Sequence, residues 1–528
     1  MKEATYWERT DRFEEKLRLL ESAWKSRKFE LARSLAASIR DTASFAQQEE
    51  DNPGTPLLGA AVFGRVEELP APWNQWARGW RYCKALALDE TVGMARAGEP
   101  VELLAGFRAE QTASLAREVR VARIESGTLR EIPCQVCGEL RRGPERLCRL
   151  ILLADSPPHV RTSYLIFYGN PDAELPAYVT DLNTSGEGYG LDIENHYYRA
   201  SLSRQMGQLE RLTLKREHGL ELFSGGEGHG EPPGIDWAHD YVASGNFQKF
   251  RLTNWPECPD YQVIRGPLCV AVRRWGFPYS TVHPLFTPSR MHFTVEYRFY
   301  AGLPYFIKQG SVEVVKDLEI TYLRDDEWVF SGYSFTDTLW MGGDGKLRSG
   351  PVAPGQEENL WAEGIFHRQS RDAFIALRLE HGAERFEGLK HSGSPVLHYR
   401  LHGQLWSRWA ARGDPRFQAG AVLKQKNAYL VLPFPEQGGA DLVEGYRHRL
   451  LHPLAAGPGE RPRNPEAAAP AGSLARPGEA GDSPIDKRRI GRRCANARMS
   501  SSTPWMLTWW IWGTFPTSAC GAAPCTSC

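Results

Sequence analysis

The first apolar pattern along the chain is helical. In "FEEKLRLLESAWKSRKFELARSLAASI" apolar residues recur three and four positions apart with charges between them, which predicts helix over residues 4–45 folded as a hairpin. The Pro, Gly and Asn of "EEDNPGTP" end it, so residues 1–55 read as a helical hairpin. From about Ala85 the period drops toward two. "ALALDE", "EPVELLAGF", "REVRVARIE", "RLCRLILLA" and "RTSYLIFYGNP" are short apolar runs split by turn residues, the spacing of a β-barrel-like domain over residues 80–185. A second β region runs from Gly188 to about residue 436. "HFTVEYRFY" alternates almost strictly, as a half-buried antiparallel strand does, and "LHYRLHGQLWSRW" reads as one strand. The region is too strand-dense for one small barrel. A large antiparallel β-sandwich over 186–450 fits it, closed by a short helix in "DLVEGYRHRLLHPL". Residues 451–485 are rich in Pro, Ala and Gly and read as a disordered linker. The fold class is therefore mainly β.

Charge and composition narrow the function classes. The 528 residues carry 64 basic and 64 acidic side chains, a formal net charge of zero, unlike a general binder of nucleic acid or anionic membrane. No stretch approaches the roughly 20 apolar residues of a membrane span, and the charged N-terminus lacks a signal-peptide core. The expectation is a cytoplasmic protein. The 17 Trp suit β cores or flat surfaces on which sugars stack. Cys134 and Cys137 form a CxxC with Cys148 nearby, but a second pair is missing, so buried strand cysteines are expected rather than zinc. No dinucleotide fingerprint, phosphate loop or nucleophile elbow occurs.

Residues 486–528 break with the rest in composition, ending in Trp, Ser, Thr and Cys. The codes for Trp and Met are unique, so part of a neighbouring reading frame can be recovered there. It reads as ordinary soluble α-then-β protein that resembles the start of the small domain of iron–sulfur-cluster maturation factors. A frameshifted tail is the expectation, with a further domain in the native protein.

Two loops concentrate chemistry. "SGGEGHGEPPGIDWAHDY", residues 224–241, holds His229, Glu231, Asp236, His239 and Asp240 among glycines that permit positive φ and close ligand approach. Such ligands suit a saccharide or a divalent cation, with His229, Asp236 and His239 as the metal set. A long connection satisfying its own backbone is the other reading. "RRWGFPYSTVHPLFTPSRMHF" supplies Arg274, Trp275, Tyr279, His283, Arg290 and His292. Arg clamps a carboxylate bidentately, a Trp face receives a sugar ring, and Tyr or His exchanges a proton beside that carboxylate. His398, His402 and Trp406 share a parity and thus one strand face, as do Asp192, Glu194 and His196. "YLRDDEWVF" reads as a turn.

"ETVGMARAGEPVELLAGF", "GTLREIPCQV" and "RTSYLIFYGNPDA" resemble the β-barrel domain preceding the catalytic parts of some carbohydrate-active enzymes. "IENHYYRASLSRQMGQLERLTLKREHGLEL", "RGPLCVAVRRWG" and "VEYRFYAGLPYF" resemble a galactose-mutarotase-like sandwich. Exo-acting rhamnogalacturonan lyases and their relatives share this order, with a helical toroid where this chain has its linker. The resemblance covers roughly 85–435 and implies recognition, and lyase-type cleavage, of an acidic saccharide. Arg274 or Arg290 would hold the carboxylate, and Tyr279 or His283 would move the proton. His229, Glu231, His239, Asp240, Trp275, His402 and Trp406 would bind substrate. The alternative is a non-enzymatic scaffold linked to iron–sulfur assembly through the lost domain.

Overall fold

A computed structural model describes residues 57–216, 260–277, 290–320, 335–350, 360–386 and 416–460, together with the backbone of several strands between these stretches and a few turns near the N-terminus. Residues 461–528, among them the tail expected to be frameshifted, and most of the expected helical hairpin lie outside the described residues. Residues 20–25 are helical, and the chain turns at Ser26 and Arg27, where Arg27 takes φ 54°.

The first β domain has two sheets. Leu57–Leu58, Arg96–Arg108, Glu145–Ser156 and Cys134–Arg142 form a four-stranded sheet. Tyr82–Asp89, Arg161–Tyr168 and Arg120–Glu125 form the centre of the second, with Thr128–Ile132 at its edge. Their alternating inward residues, among them Leu88, Leu103, Leu150 and Ile166, make one closed core. The outer face of the second sheet is covered by the short helix Ala71–Trp76, which buries Trp73 over Cys83, Leu165 and Phe167.

The end of the described chain returns to this domain. The helix Gly439–Leu451 is followed by the strand Ala455–Pro458, whose Leu86↔Pro458 to Asp89↔Ala455 register adds it at an edge. A disordered linker beginning at 451 is thereby corrected. Small residues and a terminal Pro read as linker, yet an edge strand tolerates both. Arg96 fixes the return: its guanidinium donates to the carbonyls of Arg449 (3.3 Å) and His452 (2.7 Å) while ion-pairing with Glu90 and Glu99.

The sandwich has two larger sheets. The outer one runs from Asn183–Glu187 through Gly190–Glu194, Tyr198–Leu202, Leu209–Leu214, Gly234–Asp236, Tyr322–Phe330 and Gly403–Arg412 to Ser392–Arg400. The other runs from Asp260–Ile264 through Cys269–Gly276, Met291–Tyr300, Tyr305–Val314, Val422–Pro433 and Asp372–Glu384 to Ala362–His367, Asp337–Met341 and Leu347–Gly350. Ile193, Leu209, Val272, Phe299, Trp328 and Phe374 fill the space between them.

The second sheet is a middle layer. Its far face packs Ile307, Ile375 and Leu430 against Ile151 of the first domain and Val443 of the C-terminal helix. This corrects the half-buried reading of "HFTVEYRFY": both parities of Met291–Tyr300 are largely buried. The polar parity is buried against the first domain, where Arg298 ion-pairs with Glu102 and the Tyr300 hydroxyl donates to Glu102 at 2.8 Å. Burial alone would raise the Glu102 carboxyl, but Arg298 and Arg149 outweigh it and hold it at about 2. Gln135 completes the junction, accepting from the Leu268 and Cys269 amides at 3.0 and 2.9 Å.

Candidate functional site

Three short strands, Asp240–Val242, Lys249–Arg251 and Tyr279–Ser280, form a separate antiparallel sheet. Its register pairs Asp240 with Arg251 and Arg251 with Tyr279. The two chemistry-rich loops, 39 residues apart by Asp240 and Tyr279, are thus joined by backbone pairing into one row of an acid, a base and a phenol. Residues directly opposite on antiparallel strands are the unit of side-chain interaction. Sequence reasoning missed Arg251. The signal lay in "FQKFRLTNW", where Lys249 and Arg251 share a parity within a strand-type run.

The 224–241 segment is also more than a loop. Gly234–Asp236 inserts into the outer sheet between Leu209–Leu214 and Tyr322–Phe330, and Asp236 pairs with Glu327. His229, Glu231, His239, His283 and His402 lie outside the described residues. No group of three metal-ligand side chains occurs among the described residues.

Several expected site residues are placed elsewhere. Arg274 is fully buried, donates to the Met206 carbonyl and lies 5.5 Å from the Tyr297 ring centroid. Trp275 is buried at 8 % exposure. Both sit on the strand Cys269–Gly276, inside the layered core, so neither presents a free face to a saccharide; this corrects the clamp and platform assigned to them. His292 is buried edge-on to Phe277 at 5.3 Å. Arg290 is exposed, and its carbonyl accepts from Val315 at 2.7 Å.

"LHYRLHGQLWSRW" is a hairpin, not one strand. Arg400 pairs with Gly403, His398 with Leu405 and Leu397 with Trp406. His398 and Trp406 therefore fall on opposite faces, because opposite partners share a face and neighbours alternate. The reversal of the chain between Arg400 and Gly403 is what parity counting passed over. Trp406 holds the register position opposite Trp328, which is buried between the sheets. Asp192 and Glu194 are a solvated strand face: Asp192 accepts from the Ser201 hydroxyl at 2.6 Å and Glu194 pairs with Arg199 at 2.7 Å. His196 lies beyond the strand end, its backbone amide held by Asp181. Cys134 and Cys148 are buried, and burial pushes the Cys134 thiol up to about 11, making it a poor thiolate.

A second polar constellation is closed in the sandwich core. Asp326, on Tyr322–Phe330, reaches across to Lys308 at 2.7 Å and to Arg378, and the Tyr429 hydroxyl lies 3.0 Å from both of its oxygens. Arg378 also pairs with Glu363. Burial opposes ionisation of Asp326, but Lys308 and Arg378 outweigh it and hold the carboxyl below its ordinary value. Two cations meet two anions, so the cluster is charge-balanced. Read as a turn from its run of acids, "YLRDDEWVF" is in fact an interior strand, and Tyr, Leu, Trp, Val and Phe around the acids were the signal.

No family model matches the chain, and no curated protein matches it. Similar solved structures include a glycosyl hydrolase family 38 protein from Enterococcus faecalis, 11% identical, covering 82% of this chain and 52% of that one at a TM-score of 0.42. An α-mannosidase from Enterococcus faecalis V583 is 11% identical and covers 82% of this chain and 49% of its own, at 0.43. A galactose mutarotase-like protein from Lactobacillus casei ATCC 334 is 12% identical and covers 48% of this chain and all of its own, at 0.30. This chain spans about half the length of the two larger proteins.

Proposed function

We propose that this chain binds an acidic saccharide at the small sheet and acts on it by lyase-type elimination. The observation that supports the reading is the cross-strand row Asp240–Arg251–Tyr279. In this reading Arg251 takes the carboxylate clamp first assigned to Arg274, since a guanidinium fork matches a carboxylate bidentately. Tyr279 removes the proton on the carbon beside the carboxylate. The C–H electron pair becomes a carbon–carbon double bond, the glycosidic C–O bond breaks, and the leaving oxygen takes a proton. Asp240 neighbours Arg251 in the register and would orient it.

The test is calorimetric titration of the full chain with a short oligogalacturonate and with a neutral oligosaccharide, alongside ultraviolet detection of unsaturated product. Saturable, uronate-selective binding that Arg251→Gln weakens roughly tenfold or more supports the site. Product formation lost in Tyr279→Phe with binding retained supports the chemistry. Absence of uronate binding, or binding indifferent to Arg251→Gln, ends the proposal.

A further inference from the structure

The first β domain carries an open surface pocket, with Arg65, Arg78 and Arg81 exposed at its edge, that the saccharide reading does not use. It has a volume of about 510 Å³ and lies where the helix Ala71–Trp76 returns to the strand Tyr82–Asp89. That volume is in the range of small-molecule sites, roughly 300–1,000 Å³. Three guanidiniums line it: Arg65, Arg78 and Arg81. Arg65 has a partner, Glu67, at 3.3 Å. Among the described residues no carboxylate stands within ion-pair distance of Arg78 or Arg81. Three cations against one anion leave an excess of positive charge around a concave space.

The walls are fixed before any ligand arrives. The Trp80 indole N–H donates to the Glu118 carbonyl at 2.8 Å, and Arg120 lies 5.8 Å from its ring centroid. Tyr82 lines the space from its strand, while its ring turns into the domain core, stacking on Tyr168 at 5.5 Å and meeting Phe63 edge-on at 5.6 Å. Trp73 anchors the helix below by donating to the Gly127 carbonyl at 2.7 Å. A fixed indole wall beside Arg forks is the combination that takes a ring-bearing oxyanion, because the ring gains apolar contact and the anion gains charge-assisted bonds.

We infer that this pocket is a binding site for a small organic anion, a carboxylate or a phosphate ester, held by Arg78 and Arg81 with its body against Trp80. The site is on a different domain from the small sheet and stands independently of the saccharide proposal.

The experiment is calorimetric titration of the full chain with inorganic phosphate, D-glucuronate and D-glucose. One or both anions bind saturably and glucose does not. Phosphate alone identifies a phosphate ester as the ligand class, and glucuronate alone a carboxylate. The Arg78→Gln/Arg81→Gln variant weakens phosphate binding by roughly tenfold or more. Should the double variant unfold, Asn74→Asp, which keeps every arginine and adds negative charge to the same wall, must produce the same loss. The inference is overturned if neither anion binds or if phosphate binding survives these variants.

Discussion

Asp326→Asn removes one of four charges in the core of the sandwich and leaves Lys308 and Arg378 facing Glu363 alone. Lys308 is fully buried, so solvent cannot compensate. Removing one partner of a buried pair costs about 3–5 kcal/mol. At about 2–4 °C per kcal/mol for a domain of this size, the melting point falls by roughly 6–20 °C. Lys308→Met alone leaves the opposite imbalance and costs a similar amount. Asp326→Asn combined with Lys308→Met leaves Arg378 and Glu363 as a balanced pair, so the double variant is more stable than the sum of the singles by about 1–3 kcal/mol. Circular-dichroism melts and urea titrations of the four proteins read this cycle. The acid limb is a second check. A carboxyl held below its ordinary value contributes stability above the usual carboxylate range, and that stability is lost as pH falls through the folded value. The gap between wild type and Asp326→Asn therefore narrows with acidification. A single-variant cost below about 1 kcal/mol, the scale of an exposed pair, or strict additivity of the two singles refutes the argument.

Lys84 is buried in the first domain, where its ammonium donates to the Gly59 and Val62 carbonyls and burial lowers it to about 8. Its folded value lies below the ordinary 10.5, so the unfolded chain binds more protons between these values and stability rises with pH across that window; Lys84→Met removes this rise, measured as the difference between the two proteins' urea midpoints from pH 8 to pH 10.5. Arg96→Met strips the carbonyls of Arg449 and His452 of their donor and leaves Glu90 and Glu99 without their cation; hydrogen exchange then accelerates over 455–458 ahead of the sandwich strands, with a global loss of about 3–5 kcal/mol. Gly207 takes φ +71°, and a Cβ there would meet the Arg274 side chain at 2.6 Å; Gly207→Ala lowers stability by about 1–3 kcal/mol in a thermal melt.

How far the sequence could be read depended on whether one element or two decided a residue's environment. Period-two runs located the strands because alternation is a local property, and the closing helix followed from its own pattern. Burial is not local. Arg298 and Glu296 looked like the wet face of a strand, yet the first domain lies against that face and supplies Glu102. Arg274 and Trp275 looked like a ligand clamp because Arg beside Trp is what a saccharide needs; register alone put them in the middle layer, between Asp260–Ile264 and Met291–Tyr300. The same logic explains Asp326. Consecutive acids read as a turn because unpaired acids cannot be buried, but Lys308, Arg378 and Tyr429 come from three other strands, between 18 and 103 residues away in the chain. What remained legible at the small sheet was residue type without partnership: Asp240 and Tyr279 stood out as chemistry, while Arg251, which pairs with both, looked like one basic residue in a strand. A strand residue's role is set by what sits opposite, and in an antiparallel sheet that is fixed by turns and register rather than by its neighbours in sequence.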